Sequence, residues 1–134
     1  MDPGSVTQDI DPGTVIPPLE RRIELPDMIA YAGATWDWHR LHYAPEGLDR
    51  PVVDGQVFGA LLAEQLQDWL GPAARVVRLR FRFRSMVFAG ETVRCTGRVA
   101  GAEDGLITVE QQVEVVEDGR VAVAPAGATV ATRW

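Results

Sequence analysis

A carboxylate and an imidazole stand five positions apart at Asp37 and His42, in a short polar segment flanked by Trp36, Trp38 and Tyr43. Histidine titrates near neutral pH and can accept or donate a proton, and a neighbouring carboxylate can orient its ring and hold a water molecule. The pair is therefore a candidate for general acid–base chemistry. Each residue also has a structural interpretation, with Asp37 as the cap of a turn and His42 as a hydrogen-bonded structural histidine.

The second chemical feature is Gly55, which opens the longest apolar helical pattern of the chain. A helix N-terminus carries unpaired N–H groups and a partial positive charge, and both suit a carbonyl that becomes negative. Glycine also lets a ligand approach the backbone, which a side chain would block. Gly55 is thus a candidate donor to a polarised carbonyl, with a simple packing glycine as the alternative, and Asp54 is expected to cap the helix.

Other polar residues offer weaker signals. Asp37, His39 and His42 could be three metal ligands, but that spacing in a loop is only weakly diagnostic, and we expect no metal and no cofactor. His39 is expected instead to shape the pocket or to support the local fold. Cys95 is the only cysteine, which excludes an internal disulfide and a thiolate metal cluster, and its alternating surroundings indicate packing within a strand.

Length and composition limit the class of protein. A chain of 134 residues is the size of one domain, and 46% hydrophobic and 24% charged residues are ordinary for a soluble globular protein. No apolar run approaches the ~20 residues that a membrane helix needs, and the acidic start does not resemble a signal peptide, so we expect a cytoplasmic protein. The net charge of −6 argues against nucleic acid as a partner.

The first half of the chain should hold two helices. Residues 1–16, with two Asp-Pro-Gly repeats, are expected to be a flexible lead-in to a single domain at 17–134. Leu19 to Leu25 could form a first strand, and Pro26-Asp27 would open a short helix from Met28 to Thr35. A central helix from about Gly55 to Leu70 would end at Gly71-Pro72 and bury one wide stripe. Its apolar residues are Val57, Phe58, Leu61, Leu62, Leu66, Trp69 and Leu70.

Beyond that helix the sequence alternates between apolar and polar residues. This pattern predicts four strands, at 76–86, 92–100, 106–116 and 121–133. Asp104-Gly105 and Asp118-Gly119 are strong signals for hairpin turns, and Pro125 suggests an edge or a bulge in the last strand. The result is an α+β arrangement of one long helix on a curled antiparallel sheet.

Arginine occupies every second position from 78 to 84 within the first of these four strands. Four guanidinium groups should therefore emerge on one face, while the apolar alternates face the helix. A solvated outer face is the simplest interpretation. The functional one is a site for phosphate groups or an acidic protein, because guanidinium groups fit phosphate oxygens, and Arg80, Arg82 and Arg84 are the candidates.

From about Ile23 onward the chain resembles the MaoC-like hydratases and dehydratases, which include the R-specific enoyl-CoA hydratases. Three blocks carry the resemblance in the family's order: Asp37 with His42, then Arg50-Pro51 with Gly55, then Val87-Phe88-Ala89-Gly90-Glu91-Thr92-Val93. The chain departs from the family pattern at Trp36, usually a glycine, at His39-Arg40 in place of Asn-Pro, and at Asp54 in place of a histidine. These departures leave the substrate open.

The resemblance implies a hot-dog fold, in which a curled antiparallel sheet wraps a long central helix. It also implies an enzyme that adds or removes water at the C2–C3 double bond of an enoyl thioester, carried by coenzyme A or by a carrier protein. Asp37 and His42 would share the water, and the Gly55 N–H would stabilise the enolate oxygen. The pocket would be lined by Trp36, Trp38, His39, Tyr43 and Asp54.

Two other functions stay open. Some hot-dog thioesterases place a carboxylate on the central helix, but Glu64 is one position beyond the expected site, at which Ala63 stands, and so points about 100° away. A subunit that only completes a catalytic partner is the non-enzymatic alternative. Because a single hot-dog domain leaves a sheet edge unpaired, we expect a homodimer, or else a heteromer with another hot-dog subunit.

Overall fold

The computed structural model describes residues 10–35 and 51–132. They form two α-helices and five β-strands, and none of the helices in these two stretches is long and apolar enough to cross a membrane. In chain order the elements are β1 (Val15–Arg22), α1 (Leu25–Thr35), α2 (Gln56–Leu70), β2 (Arg75–Phe83), β3 (Thr92–Glu103), β4 (Leu106–Val115) and β5 (Val121–Ala131).

The five strands form one antiparallel sheet in the order β1-β3-β4-β5-β2. Helix α2 packs against β1 and β2, which are the two opposite ends of that order, as well as against β3. A helix can touch both ends of a five-stranded sheet only if the sheet curls around it. The predicted hot-dog architecture is therefore confirmed.

The core follows the buried stripe of α2. Phe58, Leu61 and Leu62 pack with Val93, Val113 and Val123, and further along the helix Leu66 and Leu70 pack with Val99, Ile107 and Val130. Between these two groups a buried polar link joins helix and sheet. The Gln111 side-chain amide donates to the Leu62 carbonyl and to the Gln65 side chain, both at 3.0 Å.

The first two elements begin earlier than predicted. Strand β1 starts at Val15 rather than Leu19, and Ile16, which we had assigned to the lead-in, is buried in the core. Pro17 and Pro18 fit because β1 is an edge strand, and its register shifts between Ile16 and Leu19. Helix α1 starts at Leu25 rather than Met28, because the Asp27 carboxylate accepts the Glu24 N–H at 3.0 Å and closes the first turn.

The four strands predicted from the alternation of apolar and polar residues are confirmed, but some of their ends differ. Strand β2 ends at Phe83, β3 runs on to Glu103 and β5 ends at Ala131. Both Asp-Gly turns are confirmed, and Asp104 and Gly105 have the positive φ values of a tight hairpin, 53° and 78°. Of the two alternatives predicted at Pro125, the bulge is confirmed, and the position at an edge of the sheet is wrong. Strand β5 lies between β4 and β2, and its register shifts against both of them at this point.

Candidate functional site

The predicted site residues fall into two groups. Asp37 and His42, together with Trp36, Trp38, His39 and Tyr43, lie outside the described residues. The structure places the others: Asp54 and Gly55 at the start of α2, and Arg80, Arg82 and Arg84 in or just after β2. The geometry of the site is therefore built from the start of α2 outward.

The backbone N–H groups in the first turn of α2 are only partly paired. The Asp54 carboxylate accepts the Gln56 N–H at 3.0 Å, and the Asp54 backbone carbonyl accepts the Val57 N–H at 3.0 Å. Gly55, rather than Asp54, occupies the N-cap position, so the Asp54 side chain caps from one residue further out than predicted. Within residues 10–35 and 51–132 the Gly55 N–H donates to no acceptor. One helix-start donor is thus left open.

Strand β2 packs an aromatic ring against Gly55. A Cβ atom at this position would lie 2.2 Å from Cζ of Phe83, far inside van der Waals contact. The same relation recurs one turn later, where a Cβ on Gly59 would lie 2.8 Å from the ring of Phe81. The two rings pack edge to face with their centroids 5.5 Å apart. The glycines therefore allow β2 to approach α2 closely.

A cavity of about 330 Å³ opens at this end of the helix. Among the described residues that line it, most are apolar and Arg84 is the charged one, while Phe83 and Met86 are half-exposed at its rim. We call it the helix-start cavity. Its lining residues are Val52, Val53, Gly55, Phe58, Phe83, Arg84, Ser85, Met86 and Val87. An apolar pocket with a few convergent polar groups is the usual form of a small-molecule site.

The segment that leads into Gly55 is anchored to the segment before β3. The Val53 N–H donates to the Val87 carbonyl at 2.7 Å, and the Ala89 N–H donates to the Pro51 carbonyl at 2.9 Å. A β-bridge between Val52 and Phe88 lies between these two bonds. Residues 51–53 and 87–89 therefore form a short two-stranded ladder, and the position of Gly55 depends on it.

An ion pair between the buried Glu91 and the half-buried Arg120 holds this ladder from the other side. Glu91 is 6% exposed, and its carboxylate accepts a hydrogen bond from the Phe88 N–H at 2.8 Å. Its two oxygens also accept hydrogen bonds from Nη2 of Arg120, at 2.8 and 2.9 Å. The hydrogen bond to Glu91 raises the pKa of Arg120, so the guanidinium stays charged. We call this pair the Glu91–Arg120 buttress. Sequence analysis found Glu91 as part of a motif and expected Phe83 to face the helix, but it missed Arg120.

The arginines of β2 do not all reach the cavity. Arg84 follows the end of the strand and lines the helix-start cavity. Arg80 lies on the outer face of the sheet, the face away from α2, where its Nε would be 3.7 Å from a Cβ added to Gly127. Arg82 is exposed at the next alternate position of the same strand. The structure thus places Gly55 and Arg84 on the wall of one cavity, with Asp54 next to Gly55 in the chain, and it leaves Arg80 on the other side of the sheet.

Glu64 on α2 and Cys95 on β3 have structural roles. The Glu64 carboxylate accepts Nη2 of Arg21, on β1, at 2.9 Å, and neither residue lines the helix-start cavity. Burial raises the pKa of the Cys95 thiol to about 12, so the group is neutral at physiological pH and a poor nucleophile. Neither Glu64 nor Cys95 is among the described residues that line the helix-start cavity.

Comparison with known proteins agrees with this geometry. The model of the MaoC like domain family matches residues 10–120. The 3-oxo-4,17-pregnadiene-20-carboxyl-CoA hydratase beta subunit of Mycobacterium tuberculosis (strain ATCC 25618 / H37Rv) is 29% identical over 106 residues, which cover 73% of this chain and 80% of that protein.

Two solved structures are similar over almost the whole chain. The (R)-hydratase from A. caviae involved in PHA biosynthesis superposes with a TM-score of 0.84 at 23% identity, over 92% of this chain and 98% of that one. The ChsH1-ChsH2 complex from Mycobacterium tuberculosis contains a chain that gives a TM-score of 0.82 at 25% identity, over 91% and 98%. With the family model spanning most of its length, the chain belongs to the MaoC-like domain family.

Proposed function

We propose that the protein is a hydratase or dehydratase that adds or removes water at the C2–C3 double bond of an enoyl thioester. The observation that carries the proposal is the Gly55 N–H, which has no acceptor within the described residues and lies at the start of α2 on the wall of an apolar cavity. The hydratase named among the similar proteins supports the same reaction class.

In this reaction Gly55 stabilises the oxygen of the thioester. When water adds at C3, negative charge moves through the double bond onto that oxygen, and a fixed N–H at a helix start stabilises it. The Phe83 ring packs against Gly55 and adds an apolar wall beside this donor. The donor therefore acts most strongly after the charge has formed, which is the condition for lowering the barrier.

Asp37 and His42 supply the proton chemistry in this proposal. His42 takes the proton from a water held by Asp37 as the water attacks C3, and a proton is then delivered to C2. No oxidant, metal or cofactor enters the balance, because the water supplies both the hydroxyl group and the proton. The aromatic residues Trp36, Trp38 and Tyr43, together with His39, would enclose the acyl chain.

Among the three predicted anion-binding arginines, the structure favours Arg84 for the substrate, because it lines the helix-start cavity whereas Arg80 lies on the outer face. Arg84 would meet the charged carrier end of the thioester, either coenzyme A or a carrier protein. A cytoplasmic location is part of the same proposal.

A second candidate, a subunit whose activity depends on a partner, is favoured by a different observation. The similar curated protein is described as a beta subunit, and one of the similar structures is a complex of two different chains. Under this alternative the Gly55 donor and the helix-start cavity keep their roles, but the complete pocket forms only when a second hot-dog subunit is present.

The test is hydration of crotonyl-CoA, followed as loss of the enoyl-thioester absorbance, with the parent chain beside Asp37→Asn and His42→Ala. Activity in the parent and a loss of at least ~10²-fold in both variants are expected for an acid–base pair. Asp68→Asn makes the same chemical change on the exposed side of α2 and should leave the rate unchanged.

Release of free coenzyme A without hydration would contradict the proposal and favour a thioesterase. A parent that is folded yet inert on crotonyl-CoA would rule out the small substrate, and the assay would then be repeated with bulky acyl-CoAs, with carrier-protein thioesters and with added hot-dog subunits. Activity that the Asp37 and His42 variants retain would show that another pair performs the proton chemistry.

A further inference from the structure

The outer face of the sheet, which is the face away from α2, carries a cavity that the proposed reaction does not use. This cavity has a volume of about 760 Å³, and residues from all five strands line it. A second cavity of about 220 Å³ adjoins it, and the two share Arg80 and Glu110. We call the two together the outer trough. Its volume lies in the range of roughly 300–1,000 Å³ that is usual for small-molecule sites.

The trough exists because β5 carries only small residues on this face. Ala126 and Ala128 point into the core, so Gly127 between them faces outward. At Ala124-Pro125 the strand bulges, and its register shifts against both neighbouring strands. The floor of the trough over β5 therefore lacks long side chains, and side chains from β2 and β4 form its two walls.

The two walls differ in charge. On the β4 side Glu110 pairs with Arg98 at 3.0 Å, so these two charges offset each other. On the β2 side Arg78 and Arg80 are exposed, and neither forms an ion pair in the part of the chain that the structure describes. The trough thus has an uncompensated positive wall in a chain whose net charge is −6.

Unpaired arginines on one face of a strand repel each other. Arg78 and Arg80 are two positions apart, which places their Cα atoms about 7 Å from each other. That distance is within the Debye length of ~10 Å at 0.1 M salt, so solvent ions screen the repulsion only in part. Elsewhere on the outer face the charge is offset, since Arg94 pairs with Glu20 and with Glu114. An anion bound between Arg78 and Arg80 would remove the repulsion.

The other groups of the trough indicate which anion would fit. Guanidinium groups bind phosphate oxygens through paired hydrogen bonds, and the hydroxyls of Thr108 and Thr129 line the narrower cavity beside the two arginines. The wider cavity is lined by Thr96, Gln112 and Pro125, whose side chains are uncharged. The narrower part therefore suits phosphoryl groups, and the wider part suits an uncharged organic group.

We propose that the outer trough binds an organic diphosphate, such as a nucleoside diphosphate. The phosphoryl groups lie between Arg78 and Arg80, and the organic part lies in the wider cavity. This site is separate from the helix-start cavity, because the two open on opposite faces of the sheet. The arginines of β2 thus serve two sites, with Arg84 at the helix-start cavity. The inference goes beyond the reaction proposed above and does not depend on it.

Isothermal titration calorimetry in about 0.1 M salt tests the trough, with pyrophosphate and ADP as the probes. We expect saturable 1:1 binding of both, and tighter binding of ADP, because its nucleoside adds contacts in the wider cavity. In the double variant Arg78→Gln, Arg80→Gln both affinities should fall by at least about tenfold, because charge-assisted hydrogen bonds to the phosphoryl groups are lost.

Two further variants separate the trough from general electrostatic attraction. Arg22→Gln, Arg94→Gln removes the same two charges at arginines that pair with carboxylates and do not line the trough. It should leave the affinity for ADP within about twofold of the parent value. Gln112→Trp fills the wider cavity without a change of charge and should weaken ADP but not pyrophosphate. Arg78→Gln alone keeps the inference testable if the double variant does not fold.

A saturated acyl-CoA shows whether the trough is separate from the substrate site. Butyryl-CoA has no C2–C3 double bond to hydrate, so it can occupy that site without turnover. ADP should bind with the same affinity in the presence and absence of saturating butyryl-CoA. A protein that binds ADP but not butyryl-CoA would support the trough and count against the proposed reaction.

Three results would overturn the proposal. One is the absence of saturable ADP binding to the folded parent. The second is an equal loss of affinity in the two double variants, which would indicate general attraction of anions. The third is competition between butyryl-CoA and ADP, which would assign Arg78 and Arg80 to the substrate. Circular dichroism and thermal unfolding establish that each variant used is folded.

Discussion

At its first turn, α2 leaves the Gly55 N–H without an acceptor among the described residues and beside a cavity of about 330 Å³. Its last turn, which we call the closed cap, is held by hydrogen bonds of one side chain. The Gln67 side chain donates to the carbonyls of Gly71 and Ala74, at 2.8 and 2.9 Å, and the Gly71 N–H donates to the Gln67 carbonyl at 2.8 Å. Both ends pack on the same sheet. At the last turn a side chain ties down the segment that follows the helix, whereas at the first turn the Gly55 N–H has no acceptor among the described residues.

The difference shows how one helix can serve stability and chemistry. Open donors at a helix end cost stability, because buried polar groups prefer a partner. The C-terminal half of α2 is held by the hydrogen bonds of the Gln67 side chain and by Leu66, which is fully buried. The N-terminal end carries that cost at Gly55, because Asp54 caps only part of the first turn. The Glu91–Arg120 buttress holds the segment that enters the helix. Substitutions at the two ends should therefore separate activity from stability.

The largest expected effect is at Gly55. In a Phe83→Ala background, which removes the ring that an added Cβ would meet, Gly55→Ala keeps the N–H and Gly55→Pro removes it. Proline suits the φ of −58° at this position, so both variants should fold. We expect kcat of the proline variant to be about 10²- to 10³-fold below that of the alanine variant. Equal rates would show that the Gly55 N–H plays no part in the reaction.

At the other end of the helix, Leu66→Ala should affect stability and spare the chemistry. Leu66 is fully buried, and loss of such a side chain costs about 2–5 kcal/mol of the free energy of unfolding. Urea titration measures this loss, while kcat per folded molecule should stay at the parent value. Asp68→Ala, two residues further on the exposed face, should change stability by no more than about 0.5 kcal/mol. A drop in kcat for Leu66→Ala would contradict the separation.

Glu91→Gln should affect both properties, because the buttress joins the ladder that positions Gly55. Removing the charge of the buried Glu91 leaves Arg120 with Asp118 as its remaining ion-pair partner, and we expect a loss of about 2 kcal/mol in unfolding free energy. The shift of residues 87–89 should also lower kcat more than it raises KM. Glu117→Gln, at an exposed carboxylate that binds the Thr92 N–H, is the control and should leave kcat unchanged.

The smallest expected effect is at the closed cap. Gln67→Ala removes two hydrogen bonds to carbonyls and should cost about 1 kcal/mol of unfolding free energy without changing kcat. Gln67→Glu keeps the shape of the side chain but replaces its donors with a negative charge near the helix C-terminus. Thermal unfolding should show it to be no more stable than the alanine variant. A more stable glutamate variant would mean that the cap is unimportant.

Local patterns in the sequence were sufficient for much of the fold. The apolar stripe of α2, the alternation of β3 and β4 and the two Asp-Gly turns follow from neighbouring residues, and each was confirmed. The start of β1 was missed because Pro17-Pro18 argues against a strand when its edge position is unknown. The Glu91–Arg120 pair was missed because its two members are 29 residues apart and no motif connects them.

The sequence by itself determined the types of residue available for chemistry and the periods that make one helix and an antiparallel sheet, because both depend on residues near one another in the chain. Only the tertiary structure decided that Phe83 packs on Gly55, that Glu91 anchors the segment entering α2, and that Arg84 rather than Arg80 lines the helix-start cavity. Those relations depend on how far β2 and the turn before β3 curl around α2, and sheet curvature is set by packing between distant residues.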